Sequence, residues 1–144
     1  MAQIVVGVDD SPGGRAALLW ALREAELRHA GLEVVYVWSL PLNEGWNAEW
    51  PVDETALGAR AREFLDRFVA DGVAALGSRA EVAATPLECE APAFGLLERA
   101  AGADLLVVGS RGRGGFTGLL LGSVSTQCVH HATCPIVVVK APPD

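Results

Sequence analysis

A chain of 144 residues, about half of them apolar, is long enough to bury one core and too short for two, so a single domain over residues 1–144 is expected. Eighteen acidic against 11 basic residues leave a net charge of −7, and with Lys and Arg scattered along the chain this excludes nucleic acid as a partner. No apolar run approaches the roughly 20 residues of a membrane span, the first apolar run ends at Asp9 without a signal-peptide pattern, and the sparse, odd set Cys89, Cys128 and Cys134 suits reduced thiols; no membrane partner and a cytoplasmic location are expected.

Ile4 to Val8 is a short β-branched run closed by Asp9-Asp10, which predicts a buried strand entering a polar loop. Ser11-Pro12 then starts a helix: serine suits the N-cap, proline the first helical position, and Leu18, Leu22 and Ala25 recur on one face, with Gly31 as the stop. Leu32 to Trp38 is the second strand. Ser39 to Asp53, with two prolines, two asparagines, Trp46 and Trp50, has no period and is a loop. A helix follows from about Glu54 to Ala75 with Leu57, Ala61, Phe64, Leu65 and Phe68 as its apolar stripe. Thr85 to Glu90 is a third strand in which Pro86 points to a sheet edge. The remaining elements are a helix from Ala91-Pro92 to about Ala101, a strand over Leu105 to Val108, a helix over Ser123 to His131, and a strand over Ile136 to Val139. Strands and helices alternating at this spacing give an α/β fold, a doubly wound parallel sheet covered on both faces.

The stretch Asp104 to Ser125 carries the chemistry. An apolar run delivers the chain to a loop crowded with glycine and arginine, and Gly122-Ser123 opens a helix. Phosphate binding needs that order, because glycine lets the backbone approach an anion and helix N-terminal amides meet it. The terminal Gly-Lys-Ser/Thr of a P-loop is absent, and a dinucleotide fingerprint fits poorly. Arg111 and Arg113 make the loop locally positive in an acidic chain.

The spacing Gly109-x-x-Gly112, nine residues, Gly122-Ser123 resembles the ATP-binding signature of the universal stress protein family. Val6-Gly7-Val8-Asp9-Asp10-Ser11 near the start and His131-Ala132-Thr133-Cys134-Pro135-Ile136-Val137-Val138-Val139 near the end resemble it as well, so the likeness covers the whole chain. The resemblance implies a Rossmann-like, adenine nucleotide alpha hydrolase-like sheet of five parallel strands in the order 3-2-1-4-5, with the site where the first and fourth strands diverge. It further implies that Val37 offers backbone contacts to adenine and that Gly7 and Val8 line the pocket. Gly109, Arg111, Gly112, Gly122, Ser123, Val124 and Ser125 would surround the phosphates and ribose, and Asp9 would meet ribose hydroxyls or help to hold a Mg²⁺. Trp38, next to Val37, is expected to sense bound ATP.

The function that follows is an ATP-binding, nucleotide-dependent stress-response module with at most weak ATP hydrolysis. Its rivals are a slow ATPase or phosphotransferase, and a partner-binding structural module with a vestigial site. The protein partner is not legible. Ile136 to Val139, apolar on both faces and at a sheet edge, predicts a homodimer through that strand. Cys128, His130, His131 and Cys134 lack a usual zinc spacing and read as a buried helix end. Asp10 reads as a solvated loop residue.

Overall fold

The computed structural model describes residues 2–40, 53–112 and 121–142. The loop centred on Trp46 and Trp50, and Arg113 with the glycines that follow it, lie outside the described residues. In chain order the elements are β1 (Gln3–Val8), α1 (Pro12–Arg28), β2 (Gly31–Trp38), α2 (Glu54–Leu76), β3 (Glu81–Glu88), α3 (Pro92–Ala100), β4 (Leu105–Gly109), α4 (Ser123–His131) and β5 (Ile136–Val139).

All pairings are parallel, in the order β3-β2-β1-β4-β5. Strand alternation sorts the core into two halves. Ile4, Val6, Leu32, Val34, Leu105 and Val107 face α1 and α2, where Leu18, Leu22 and Leu65 meet them. Val5, Val35, Leu106 and Val108 face α3 and α4, meeting Leu96, Ala100 and Cys128. Helices on both faces explain why Ile4 to Val8 and Leu105 to Val108 read as unbroken apolar runs.

Local chemistry sets the helix ends, in one case differently from expectation. Ser11 caps α1 by accepting from the Gly14 amide at 3.0 Å, with Pro12 in the first turn, and Asp53 caps α2 by accepting from the Ala56 amide at 3.1 Å. Gly31 does not stop α1. The chain turns at His29, whose φ of 53° is left-handed, and the Ala30 amide reaches back to the Ala25 carbonyl; Gly31 is already the first residue of β2. α2 ends the same way at Gly77, with φ 58°.

β3 also departs from expectation, running from Glu81 to Glu88 instead of Thr85 to Glu90. Eight residues pair with β2 in unbroken register, Gly31↔Glu81 to Trp38↔Glu88, so the partner strand decides its extent. It is an edge strand, which is why it tolerates Pro86 opposite Tyr36.

Candidate functional site

β1 and β4 lie side by side, with Val6 opposite Val107, and their chains leave in opposite directions: α1 covers one face of the sheet, α4 the other. The crevice beyond their C-terminal ends is therefore built from residues a hundred positions apart. A cavity of about 530 Å³ opens there.

Every residue that the sequence nominated for binding lines this cavity. Gly7, Val8 and Asp9 come from the end of β1, and Val37 from β2. Gly109, Arg111 and Gly112 follow β4, and Gly122, Ser123, Val124 and Ser125 form the start of α4. Five lining residues went unnominated: Gly14, Val35, Pro92, Leu96 and Val108. Strand alternation could have found Val35, which shares a face with Val37, whereas Pro92 and Leu96 depend on how α3 docks.

Tight backbone packing explains much of the glycine content. A Cβ on Gly109 would stand 2.8 Å from the Gly13 carbonyl oxygen, and one on Gly13 would overlap the Arg111 carbonyl. The first turn of α1 thus rests directly on the loop after β4. A Cβ on Gly112 would lie 2.5 Å from Asp9 Oδ2, so the glycine loop also abuts the carboxylate. At Gly122 there is more room, the nearest atom being the Arg111 Cα at 3.4 Å.

Asp9 is half-buried, and its Oδ1 accepts from the Ser11 amide at 3.1 Å and from the Ser11 hydroxyl. The carboxylate is thereby oriented at the turn from β1 into α1. Asp10 is exposed and does not line the cavity. The Gly122 amide donates to the Ser110 carbonyl at 2.6 Å, which ties the start of α4 to the loop after β4. Gly122 has no side chain to cap α4, and Gly122 to Ser125 line the cavity, so the positive end of the helix dipole lies at its wall.

The two serines differ. Ser125 is buried, and its hydroxyl reaches the Ser110 carbonyl at 2.8 Å and the Gly122 carbonyl at 3.1 Å, so its hydrogen is committed within the protein. Ser123 is exposed at the mouth.

Trp38, expected to stand beside a bound adenine, does not line the cavity. Its neighbour Val37 faces α3, so Trp38 faces α2, and its ring comes within 3.5 Å of where a Cβ on Gly58 would stand. Among the described residues no cluster of His, Cys, Asp and Glu could hold a metal ion. Cys128 is fully buried, and burial pushes its thiol up to about 11, but Val129, His130 and His131 are exposed and Cys134 is half-buried, so the helix end expected to be buried is buried at Cys128 and not at the residues after it. No helix among the described residues is long and apolar enough to cross a membrane.

The universal stress protein family model matches residues 1–140. A universal stress protein of Mycobacterium tuberculosis (strain ATCC 25618 / H37Rv) is 37% identical over 145 residues, covering 96% of this chain and 45% of its own length. The chain thus spans about half the length of the curated relatives it matches. Among solved structures, the universal stress protein from Archaeoglobus fulgidus in complex with dAMP is 26% identical, with a TM-score of 0.68, covering 97% of this chain and 98% of that one. A universal stress protein in complex with cAMP, 24% identical with a TM-score of 0.73 and 98% of each chain covered, shares the fold.

Proposed function

Because the chain belongs to the universal stress protein family, we propose that it binds ATP in the crevice between β1 and β4 and works as a nucleotide-dependent stress-response module rather than as a rapid enzyme. The observation that carries this reading is the split character of the cavity. One side is apolar, made by Val35, Val37, Leu96, Val108 and Val124; the other is made of the backbone of Gly109, Gly112 and Gly122 with Arg111. A purine suits the first side and a polyphosphate the second. About 530 Å³ lies within the range of small-molecule sites, and the Archaeoglobus relative bound to dAMP supports an adenine nucleotide.

The residues divide the work. β2 offers its backbone beside Val37 to the base, and Val8 and Gly7 form the wall. The first turn of α4 and the backbone after β4 donate to phosphate oxygens, and Arg111 offsets their charge. Asp9, fixed by Ser11, is placed for ribose hydroxyls or for one position on a Mg²⁺. With a single carboxylate among the described lining residues, Mg²⁺ would be held chiefly by phosphates and water, which suits this cation. When bound, it neutralises and bridges phosphate charge.

Asp9 and Arg111 are the ionisable groups among the described lining residues, and both have a role toward the nucleotide or its Mg²⁺ in this reading. Among the described residues no further ionisable group lines the cavity to position an attacking water, which favours retention of the nucleotide over turnover. Isothermal titration with Mg-ATP, and with Mg-GTP and cAMP as comparators, tests the proposal: saturable ATP binding is expected, and none at millimolar ligand would refute it. Steady phosphate release that vanishes in Asp9→Ala would instead establish a slow ATPase or phosphotransferase.

The proposal includes a homodimer through β5. That strand pairs with β4 on one side, its four residues are half-buried, and the described residues supply no strand on its other side. Two such edges running antiparallel would satisfy both rows of backbone groups.

A further inference from the structure

Among the described residues Glu33 is the one charged side chain that is buried, at 8% exposure, and it does not line the nucleotide cavity. It sits on β2 facing α3. Its Oε2 accepts from the Thr85 hydroxyl on β3 at 2.7 Å and from the Arg99 guanidinium on α3. An apolar residue at such a place is usually as stable as a buried ion pair or more so, so core packing alone does not call for the charge. What the pair does is join three elements at one point.

Two features connect that point to the cavity. Leu96 precedes Arg99 by three residues, about 4.5 Å of helix, and its Cδ2 fills the space where a Cβ on Gly7 would stand. Leu96 and Pro92 line the cavity, so one nine-residue helix carries both the ion pair and part of the apolar wall. Along β2, Glu33 stands two residues before Val35, about 6.6 Å, on the same face. The cavity end of α3 makes no capping side-chain hydrogen bond at Ala91, whereas near its other end Arg99 ties the helix to β2 through Glu33.

We infer that the Glu33–Arg99–Thr85 cluster is a positioning device that holds α3 against β2 and thereby sets the width of the apolar end of the cavity and the affinity for nucleotide. Glu33 and Arg99 act through Leu96 and touch no ligand. The inference rests on the ATP-binding reading for its functional consequence, while the anchoring of α3 stands on geometry alone.

Two measurements on wild type, Arg99→Ala, Arg99→Lys and Thr85→Val separate these levels: amide hydrogen exchange across α3 in the free protein, and the Kd for Mg-ATP. Arg99 is half-exposed, which lets Arg99→Ala fold, and Thr85→Val is a milder second perturbation. Arg99→Ala should exchange faster across α3 and bind ATP about tenfold more weakly. Arg99→Lys should recover most of both, and Thr85→Val should fall between. An unchanged Kd in Arg99→Ala, or unchanged protection of α3, overturns the inference. If wild type itself fails to bind ATP, the nucleotide reading fails, and exchange in α3 alone decides the anchor: faster exchange in Arg99→Ala upholds it and unchanged exchange overturns it.

Discussion

Substituting Gly122 separates binding from folding. Its backbone, at φ −78° and ψ 177°, is open to any residue, and a Cβ there would meet Arg111 Cα at 3.4 Å and the Gly112 nitrogen and Ser110 oxygen at 3.6 Å. Those are ordinary contacts or nearly so, and replacing glycine by alanine at an N-cap costs only about 1 kcal/mol or less. Gly122→Ala should therefore melt close to wild type. The extra methyls of Gly122→Val have to project past that backbone into the space a phosphate would take. Charge-assisted hydrogen bonds are worth about 1.5–3 kcal/mol each, so losing one or two weakens ATP binding by about 3 kcal/mol, roughly a hundredfold in Kd. Titration calorimetry with Mg-ATP reads the affinity, and a melting curve of the free protein reads the fold. ATP affinity in Gly122→Val within threefold of wild type would refute the phosphate site at the start of α4.

Gly109→Ala should lower stability itself, since its Cβ would be forced 2.8 Å from the Gly13 carbonyl oxygen. Such overpacking costs about 1–3 kcal/mol, a fall in Tm of roughly 4–10 °C by differential scanning calorimetry; an unchanged Tm would contradict the close approach of α1. In native protein at pH 8, a thiol reagent should modify Cys89 and Cys134 and spare Cys128, whose burial raises its pKa to about 11. Because that folded value lies above the unfolded one, the thiol costs no stability below about pH 9 and destabilises increasingly as pH rises toward 11, so Cys128→Ser should flatten the loss of stability across that window in denaturant titrations. Val138→Pro removes a backbone donor within β5 and should give monomer in light scattering; a dimer unaffected by it would exclude the β5 edge as the interface.

The nature and order of the elements were legible without coordinates because they rest on short-range chemistry. Ser11-Pro12 opens α1, Ser123 to His131 is α4 and Ile136 to Val139 is β5, each from local spacing and caps. The glycine spacing from Gly109 to Ser123 likewise named one wall of the cavity, since glycine marks places where the backbone comes close to its neighbours. Strand order came from family resemblance, because periodicity reports which face is apolar and not which strand lies beside it.

Tertiary packing decided the rest. β3 begins at Glu81 rather than Thr85 because β2 offers it eight partners. Alternation along β2, in a sheet covered by helices on both faces, sends Trp38 to α2 while Val37 faces the cavity. The tie from Glu33 to Arg99 spans 66 positions, and the overlap of Leu96 with the Gly7 slot spans most of a hundred. Local sequence encodes each partner's propensity, but only the docking of α3 onto the sheet brings them within reach, and that docking is a property of the whole packed core.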